Sequence, residues 1–460
     1  MSTSRKLVVS AVFFIEALFV YFIVTQRYPI SGDDYSYLYQ AKLFAAGKLW
    51  AQDPVYDPSL PFYDCLETYC FRDDQGHRFS KYAPGWPAIL ALGVRLGAPW
   101  LVNPLLGAVL VFLMLEYTEQ RFGKEHVRIV ALLVTLCFFL CYYAASFRAH
   151  IPTALLVFSA FLLYDFSERR SHSAKPWLLG AGAILGLSAM IRYVDWIPLA
   201  VWIAFSLIRQ KRFADMVLFG TGFALLASGN LVYNALFSGN PFQVPAAIHR
   251  TSEIGDRLIV SWNGFFVTIV RLANLLWVFP PAILLAIFWR RYRLRFETKM
   301  FVALFLMIII VYFLYPASVG GPGPRYLLAY FPFLILAVAE ISQRLSQDSW
   351  PPGQQIWKFA VATLIICNLA FMANETYTMY WRRDFDRMVR QIDGKKNIFF
   401  LKTGPYKTET HDLTRNPPAL SSAENLYFTW CEKPERDELL KRFPDYTVFV
   451  YEYPGHLQKL

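Results

Sequence analysis

The chain has 460 residues, 56% of them apolar, 17% aromatic and only 17% charged. That balance excludes an ordinary soluble domain, because apolar blocks long enough to cross a bilayer core of about 30 Å recur along it. The net charge of +11 does not point to nucleic acid, since lysine and arginine sit in short gaps between those blocks, as in the cytoplasmic loops of membrane proteins.

In chain order, apolar runs predict spans at 7–25, 101–117, 127–146, 151–166, 176–191, 194–208, 213–237, 262–289, 299–315, 326–343 and 357–374. The first block, Leu7 to Val24, is long, contains Glu16 and lacks a small-residue cleavage site. It is expected to stay as an anchor rather than be removed as a signal peptide. Eleven spans put the two ends on opposite sides. Alternate gaps carry the basic residues: Arg5 and Lys6; Arg121, Lys124 and Arg128; Arg169, Arg170 and Lys175; Arg209, Lys211 and Arg212; Arg290 to Lys299; and Arg344. The alternation places the N-terminus in the cytoplasm and the tail outside.

Two segments are too polar to span. The first, residues 26–100, opens with SGDDYSYLYQAKLFAAG at 31–47, where Tyr37, Ala41 and Phe44 share one helical face and Gly47 ends the run. Asp33 falls where an N-cap belongs. YCFRDDQGHRFS then predicts two short strands around a turn, and KYAPGWPAILALGVRLG predicts a helix at the membrane interface rather than a span. The second polar segment, 375–460, alternates KNIFFL, ENLYFTW and YTVFVYEY with the helical ERDELLKRF. It is expected to be a small α/β domain following a transmembrane domain at 1–374.

Charge at a membrane edge is costly and marks candidate sites. Asp33 and Asp34 either cap a surface helix, where they favour the helix dipole, or supply a general base to an acceptor hydroxyl. Lys81, before a Pro-Gly turn, either snorkels or binds a phosphate as a point charge. Arg148 and His150 in SFRAHIP, Arg325 in GGPGPRY and Arg192 in MIRYVDW come from three further turns at the same edge; Arg192 can also simply pair with Asp195. Cys65 and Cys70 are close enough for a small bridged loop if that side is oxidising. No cysteine pair has zinc-ligand spacing. A divalent metal is possible but not indicated: Asp53, Asp57 and Asp64 could contribute ligands, but such residues are more often solvated loop acids.

At these residues the sequence resembles the GT-C membrane glycosyltransferases, in particular bacterial relatives of the protein O-mannosyltransferases (family 39-like) and of the aminoarabinose transferase. The shared pattern is an acidic pair after the first span (Asp33-Asp34, with Tyr37 and Ala41), then the lysine-proline turn Lys81-Tyr82-Ala83-Pro84-Gly85. Arg121-Phe122-Gly123, NALFSGNPF at 234–242 and GPRY at 323–326 follow. The resemblance implies a GT-C fold in the inner membrane with a periplasmic C-terminal domain. It also implies an inverting transfer of sugar from a polyprenyl-phosphate donor to a glycan, lipid or protein acceptor, with Asp33 as base and Lys81 beside the donor phosphate. Arg148, His150 and Arg325 are further candidates for that phosphate by position, and Tyr37, Tyr82 and Arg192 for the substrate pocket. The sequence departs from the pattern in having Asp34 where the family has glutamate, and Ser80 where the aminoarabinose enzymes carry glutamate. A transporter or flippase of a lipid-linked glycan is the alternative, against which stands the lack of paired halves with matching broken helices.

Overall fold

The computed structural model describes residues 2–52, 70–72, 76–169, 175–244, 262–314, 323–348, 350–392, 394, 396–402, 413, 415–418, 420, 423–431, 433–452 and 455–460. Within them, seven helical stretches are long and apolar enough to cross a membrane: Thr3–Val24, Pro99–Phe122, His150–Arg169, Phe213–Ser238, Phe296–Leu314, Arg325–Gln347 and Pro352–Arg390. They include helices α1 (Thr3–Phe19), α4 (Val102–Phe122), α7 (His150–Arg169), α10 (Phe213–Ser238), α13 (Phe296–Leu314), α14 (Phe331–Gln347), α15 (Pro351–Thr378) and α16 (Tyr380–Arg390).

Four of the eleven expected spans look different. The run at 127–146 is two helices, α5 (Lys124–Thr135) and α6 (Phe138–Ala144), bent by 64°. The run at 262–289 is bent by 111° between α11 (Trp262–Val278) and α12 (Ile283–Phe288). Pro280 and Pro281 lie in that second break, where proline cannot continue the hydrogen-bond ladder. The runs at 176–191 and 194–208 form α8 (Lys175–Ile191) and α9 (Ile197–Arg209), of 17 and 13 residues. At 1.5 Å per residue, α9 is only about 20 Å long. With each bent pair counted as one span, the described residues hold up to nine.

Burial sets the layers. Almost all of the Arg325–Gln347 stretch is buried, so it runs through the middle of the bundle, whereas α1 exposes Leu7, Val8, Ile15 and Phe19. Helices α8 and α10 cross in close contact because small residues meet there: a Cβ at Gly182 would lie 2.0 Å from the Phe219 carbonyl oxygen, and one at Gly222 2.2 Å from that of Leu179. Small residues that let backbones approach are a usual means of packing helices where lipid removes the hydrophobic driving force.

The expected basic gaps gather at one end. Lys6 pairs with Glu116 and Glu119 on α4, Arg121 with Glu297 at 2.7 Å, Arg212 with Glu168 and Asp215, and Arg344 with Glu340 at 2.6 Å. The opposite end carries the two polar segments. Helix α2 (Gly32–Ala45) packs on α3 (Gly85–Arg95) and on strand β3 (His77–Ser80), which is the centre of a three-stranded antiparallel sheet with β1 (Ala51–Gln52) and β2 (Cys70–Arg72). The two strands expected from YCFRDDQGHRFS pair Phe71 with Phe79, and α3, with 11 residues, is too short to span. In the tail, β4 (Asn397–Lys402) lies between β5 (Asn425–Thr429) and β6 (Thr447–Glu452), parallel to both. Strand β7 (His456–Lys459) adds antiparallel to β6, and helix α17 (Lys433–Arg442) connects β5 to β6. A Cys65–Cys70 bridge is not present, because Cys70 keeps its thiol; Cys431 is disulfide-bonded instead. Cys65 itself lies outside the described residues.

Candidate functional site

Helix α2 is capped two residues earlier than the sequence suggests. Ser31, not Asp33, is the N-cap, and Asp34 is the third helical residue of a capping box. Asp34 Oδ2 accepts from the Ser31 backbone N–H at 3.1 Å and from the Ser31 hydroxyl at 3.3 Å. It also accepts from Arg148 Nε at 3.2 Å, while Oδ1 accepts from the Phe147 N–H at 2.7 Å. Both members of the Asp34–Arg148 pair are buried, at 0% and 1% side-chain exposure. Burial pushes the Asp34 carboxyl up, against the pull of Arg148 and the Phe147 N–H. Four donors and no acceptor face it, which is the surrounding of a carboxylate.

The other Arg148 nitrogens are also engaged, Nη1 donating to the Tyr143 hydroxyl at 3.1 Å and Nη2 to the Ser31 hydroxyl at 2.6 Å. Each of the three Arg148 nitrogens thus has one protein partner, while Nη1 and Nη2 each carry a second N–H. Arg148 ties the turn before α7 to the start of α2. The same turn is held from behind by Trp86 Nε1, which donates to the Phe147 carbonyl at 2.6 Å, and by Asn103 Nδ2, which donates to the Arg148 carbonyl at 2.9 Å.

With Asp34 occupied, its neighbour turns the other way. Asp33 keeps about one-fifth of its side chain exposed (20%), lies 3.6 Å from Lys81 Nζ and 3.4 Å from Arg325 Nη1, and accepts a hydrogen bond from the Tyr82 hydroxyl. Burial pushes the Asp33 carboxyl up, but Lys81, Arg325, Arg148 and the Tyr82 hydroxyl outweigh it. The group is held well below the usual carboxylate range.

The 80–84 turn is fixed against α2 by a ladder of polar contacts. The Ser36 and Ser80 hydroxyls meet at 2.8 Å, the Ser80 N–H donates to Gln40 Oε1 at 2.9 Å, and the Tyr82 N–H donates to Ser80 Oγ at 3.2 Å. The Tyr37 and Tyr82 rings stack 4.2 Å apart. Burial and the Asp33 charge raise the Tyr82 hydroxyl well above its ordinary value, so it stays a donor. Ser80 is thus buried, and it joins the turn to α2.

A second polar cluster adjoins the first. Arg192 pairs with Asp195 at 2.5 Å and donates to the Tyr312 hydroxyl at 2.8 Å, while its Nη1 meets His150 Nε2 at 3.1 Å. Tyr326 joins the clusters: Arg192, Arg271 and Arg325 lie over its ring at 5.7, 5.0 and 5.0 Å. Arg271 was not among the expected residues. Its signal was present, a lone arginine within the apolar run of α11, and such a charge is a candidate by default. Together Lys81, Arg148, Arg192, Arg271 and Arg325 face Asp33, Asp34 and Asp195, an excess of two positive charges in a buried setting. Among the described residues no group of three or more His, Cys, Asp or Glu is placed to hold a metal; Asp53, Asp57 and Asp64 lie outside them.

No family model matches the chain, and no curated protein matches it. Solved structures do. The structure of ArnT from Cupriavidus metallidurans in the apo state superimposes with a TM-score of 0.56 at 12% identity, over 97% of this chain and 89% of that one. The same protein bound to undecaprenyl phosphate gives 0.57 at 12% identity, over 94% and 88%. The chain has the ArnT fold. This agrees with the GT-C architecture that the sequence resemblance implies. The archaeal oligosaccharyltransferase AglB from Archaeoglobus fulgidus, in complex with an inhibitory peptide and a dolichol-phosphate, matches with a TM-score of 0.49 at 12% identity, over 97% of this chain and 69% of that one.

Proposed function

We propose that the chain is an inverting glycosyltransferase that takes a sugar from a polyprenyl-phosphate donor and passes it to an acceptor hydroxyl at the outer face of the cytoplasmic membrane. The observation that carries this reading is Asp33, a partly open carboxylate held between Lys81 and Arg325 beside the Tyr82 hydroxyl. The ArnT fold, which in one solved structure holds undecaprenyl phosphate, supports it. In the reaction the acceptor oxygen attacks the anomeric carbon as the bond from that carbon to the phosphate oxygen breaks. The acceptor proton passes to Asp33, and Lys81 and Arg325 stabilise the charge that grows on the lipid phosphate. In the empty site Asp33 is a weak base because those two cations hold it ionised. An anionic phosphate between them shares their charge and raises Asp33 towards a useful value.

On this reading the eleven apolar segments all lie in the membrane, two of them as bent pairs and two as short helices. The end bearing paired basic loops faces the cytoplasm, and the tail sheet is a small external domain. The disulfide at Cys431 fits an oxidising compartment for that domain. His150, Tyr37 and Arg192 belong to the wall of the pocket, with Arg271 added. The test is a titration of the purified protein with undecaprenyl phosphate. Lys81→Ala and Arg325→Ala are each expected to weaken binding about tenfold, the loss of one charge-assisted contact. Unchanged affinity in both variants refutes the assignment.

A further inference from the structure

A pair of cavities lies away from Asp33, between the start of the first polar segment and the end of α15. One is an apolar groove of about 470 Å³ between α1 and α15, lined by Phe19, Ile23, Met372, Ala373 and Tyr377. The other, of about 480 Å³, is lined by Arg27, Tyr28, Arg383, Asp386, Arg387 and Arg390. Tyr380 and Arg383 line both, so groove and pocket are continuous.

The pocket lining carries four arginines and one carboxylate. Its carboxylate, Asp386, already takes Arg415 Nη1 at 3.1 Å. Arg387 meets Asp384 at 2.9 Å, outside the pocket lining, while Arg27 and Arg390 make no ion pair among the described residues. Arg383 donates from Nη2 to the Thr376 carbonyl at 3.0 Å, but its Nε is buried with no hydrogen-bond partner. The sequence explains the arrangement. Helix α16, YWRRDFDRMVR, buries Phe385 and Val389 against Phe399 and Tyr451 of the tail sheet and carries its arginines on its other faces. Gln26 and Arg27 have φ of 49° and 68°, a left-handed backbone that such residues seldom adopt.

We propose that this continuous site binds an anionic glycerophospholipid. An acyl chain lies in the α1–α15 groove, and the phosphate headgroup sits among Arg27, Arg383, Arg387 and Arg390. The site is separate from the donor centre, since none of its lining residues is Lys81 or Arg325. It nevertheless touches the path to that centre. Arg382, on the same helix, donates from Nη1 to the carbonyls of Pro29 and Ile30 at 2.9 and 2.5 Å, immediately before the Ser31 cap of α2. A lipid that steadies α16 steadies the approach to Asp33.

The experiment is native mass spectrometry of the full chain in neutral detergent, incubated with phosphatidylglycerol or with phosphatidylcholine. Each arginine near an anionic lipid is worth about fivefold in affinity. Wild type is therefore expected to retain phosphatidylglycerol in preference to phosphatidylcholine, and R383Q/R387Q/R390Q to lose at least about tenfold of that retention. Ala373→Trp, which fills the groove without touching charge, is expected to lose it as well. Soluble glycerol 3-phosphate should not displace the lipid. Equal retention of the two lipids by wild type, or unchanged phosphatidylglycerol retention in both variants, overturns the proposal. So does glycerol 3-phosphate binding as tightly as the lipid, because the groove would then play no part.

Discussion

Asp33 and Asp34 are adjacent and chemically identical, yet the structure gives them opposite energetic roles, and Asp34→Asn against Asp33→Asn separates them. Asp34 accepts four hydrogen bonds, one of them from an arginine that is 1% exposed. Asparagine removes the charge that Arg148 is buried against and replaces one acceptor oxygen by a donor. Breaking a buried pair in this way costs about 3–5 kcal/mol. Asp33 has 20% of its side chain exposed and its partners are themselves 19% and 12% exposed at 3.6 and 3.4 Å. Its loss is expected to cost less than that of Asp34, because these three groups keep some contact with solvent. The assay is thermal unfolding of the purified variants followed by tryptophan fluorescence, with D34N/R148M as the third member. That double variant is expected to recover part of the loss, since it removes both charges together. An Asp34→Asn protein that melts with wild type, or above Asp33→Asn, refutes the reasoning.

Acid stability should depend on Asp33. Its folded-state carboxyl is held below the ordinary value, so its contribution is present above about pH 4 and is lost as the pH falls towards the lowered value. Asp33→Asn is expected to flatten the acid limb of a stability profile, and an unchanged limb contradicts the geometry. Tyr82→Phe removes the hydroxyl donated to Asp33 and is expected to move the acid limb of a kcat/KM profile upward in pH, with a rate loss of about tenfold. Gly323→Ala is expected to impair the site more than the fold. At φ +66°, its added Cβ would lie 2.5 Å from Phe139 Cε2, two residues before Arg325. The measurement is transfer activity alongside melting temperature.

The order of the apolar segments, the short helix α3 and the Asp33–Lys81–Arg325 grouping were legible because each rests on local pattern: apolar run length, a Pro-Gly turn and charges at the ends of apolar runs. What was not legible depended on distant partners. The Ser31-x-x-Asp34 capping box was local and could have been read, but the burial of Asp34 depended on Arg148, which reaches it from 114 residues away. The break between Thr135 and Phe138 carries no proline or glycine to announce it. The break at Pro280-Pro281 was announced, but the run continued apolar beyond it and read as one span. Tyr326 became the shared platform for three arginines only because α11, α13 and the turn after α8 converge there.

The central claim is that Asp33 accepts the acceptor's proton in a sugar transfer, and cells lacking the chain test it most directly. Mass spectrometry of their surface glycolipids and glycans should show the loss of one sugar residue from a single species. Wild-type chain should restore that mass, and Asp33→Asn, expressed to the same level and folded by its melting curve, should not. Full restoration by Asp33→Asn would contradict the account.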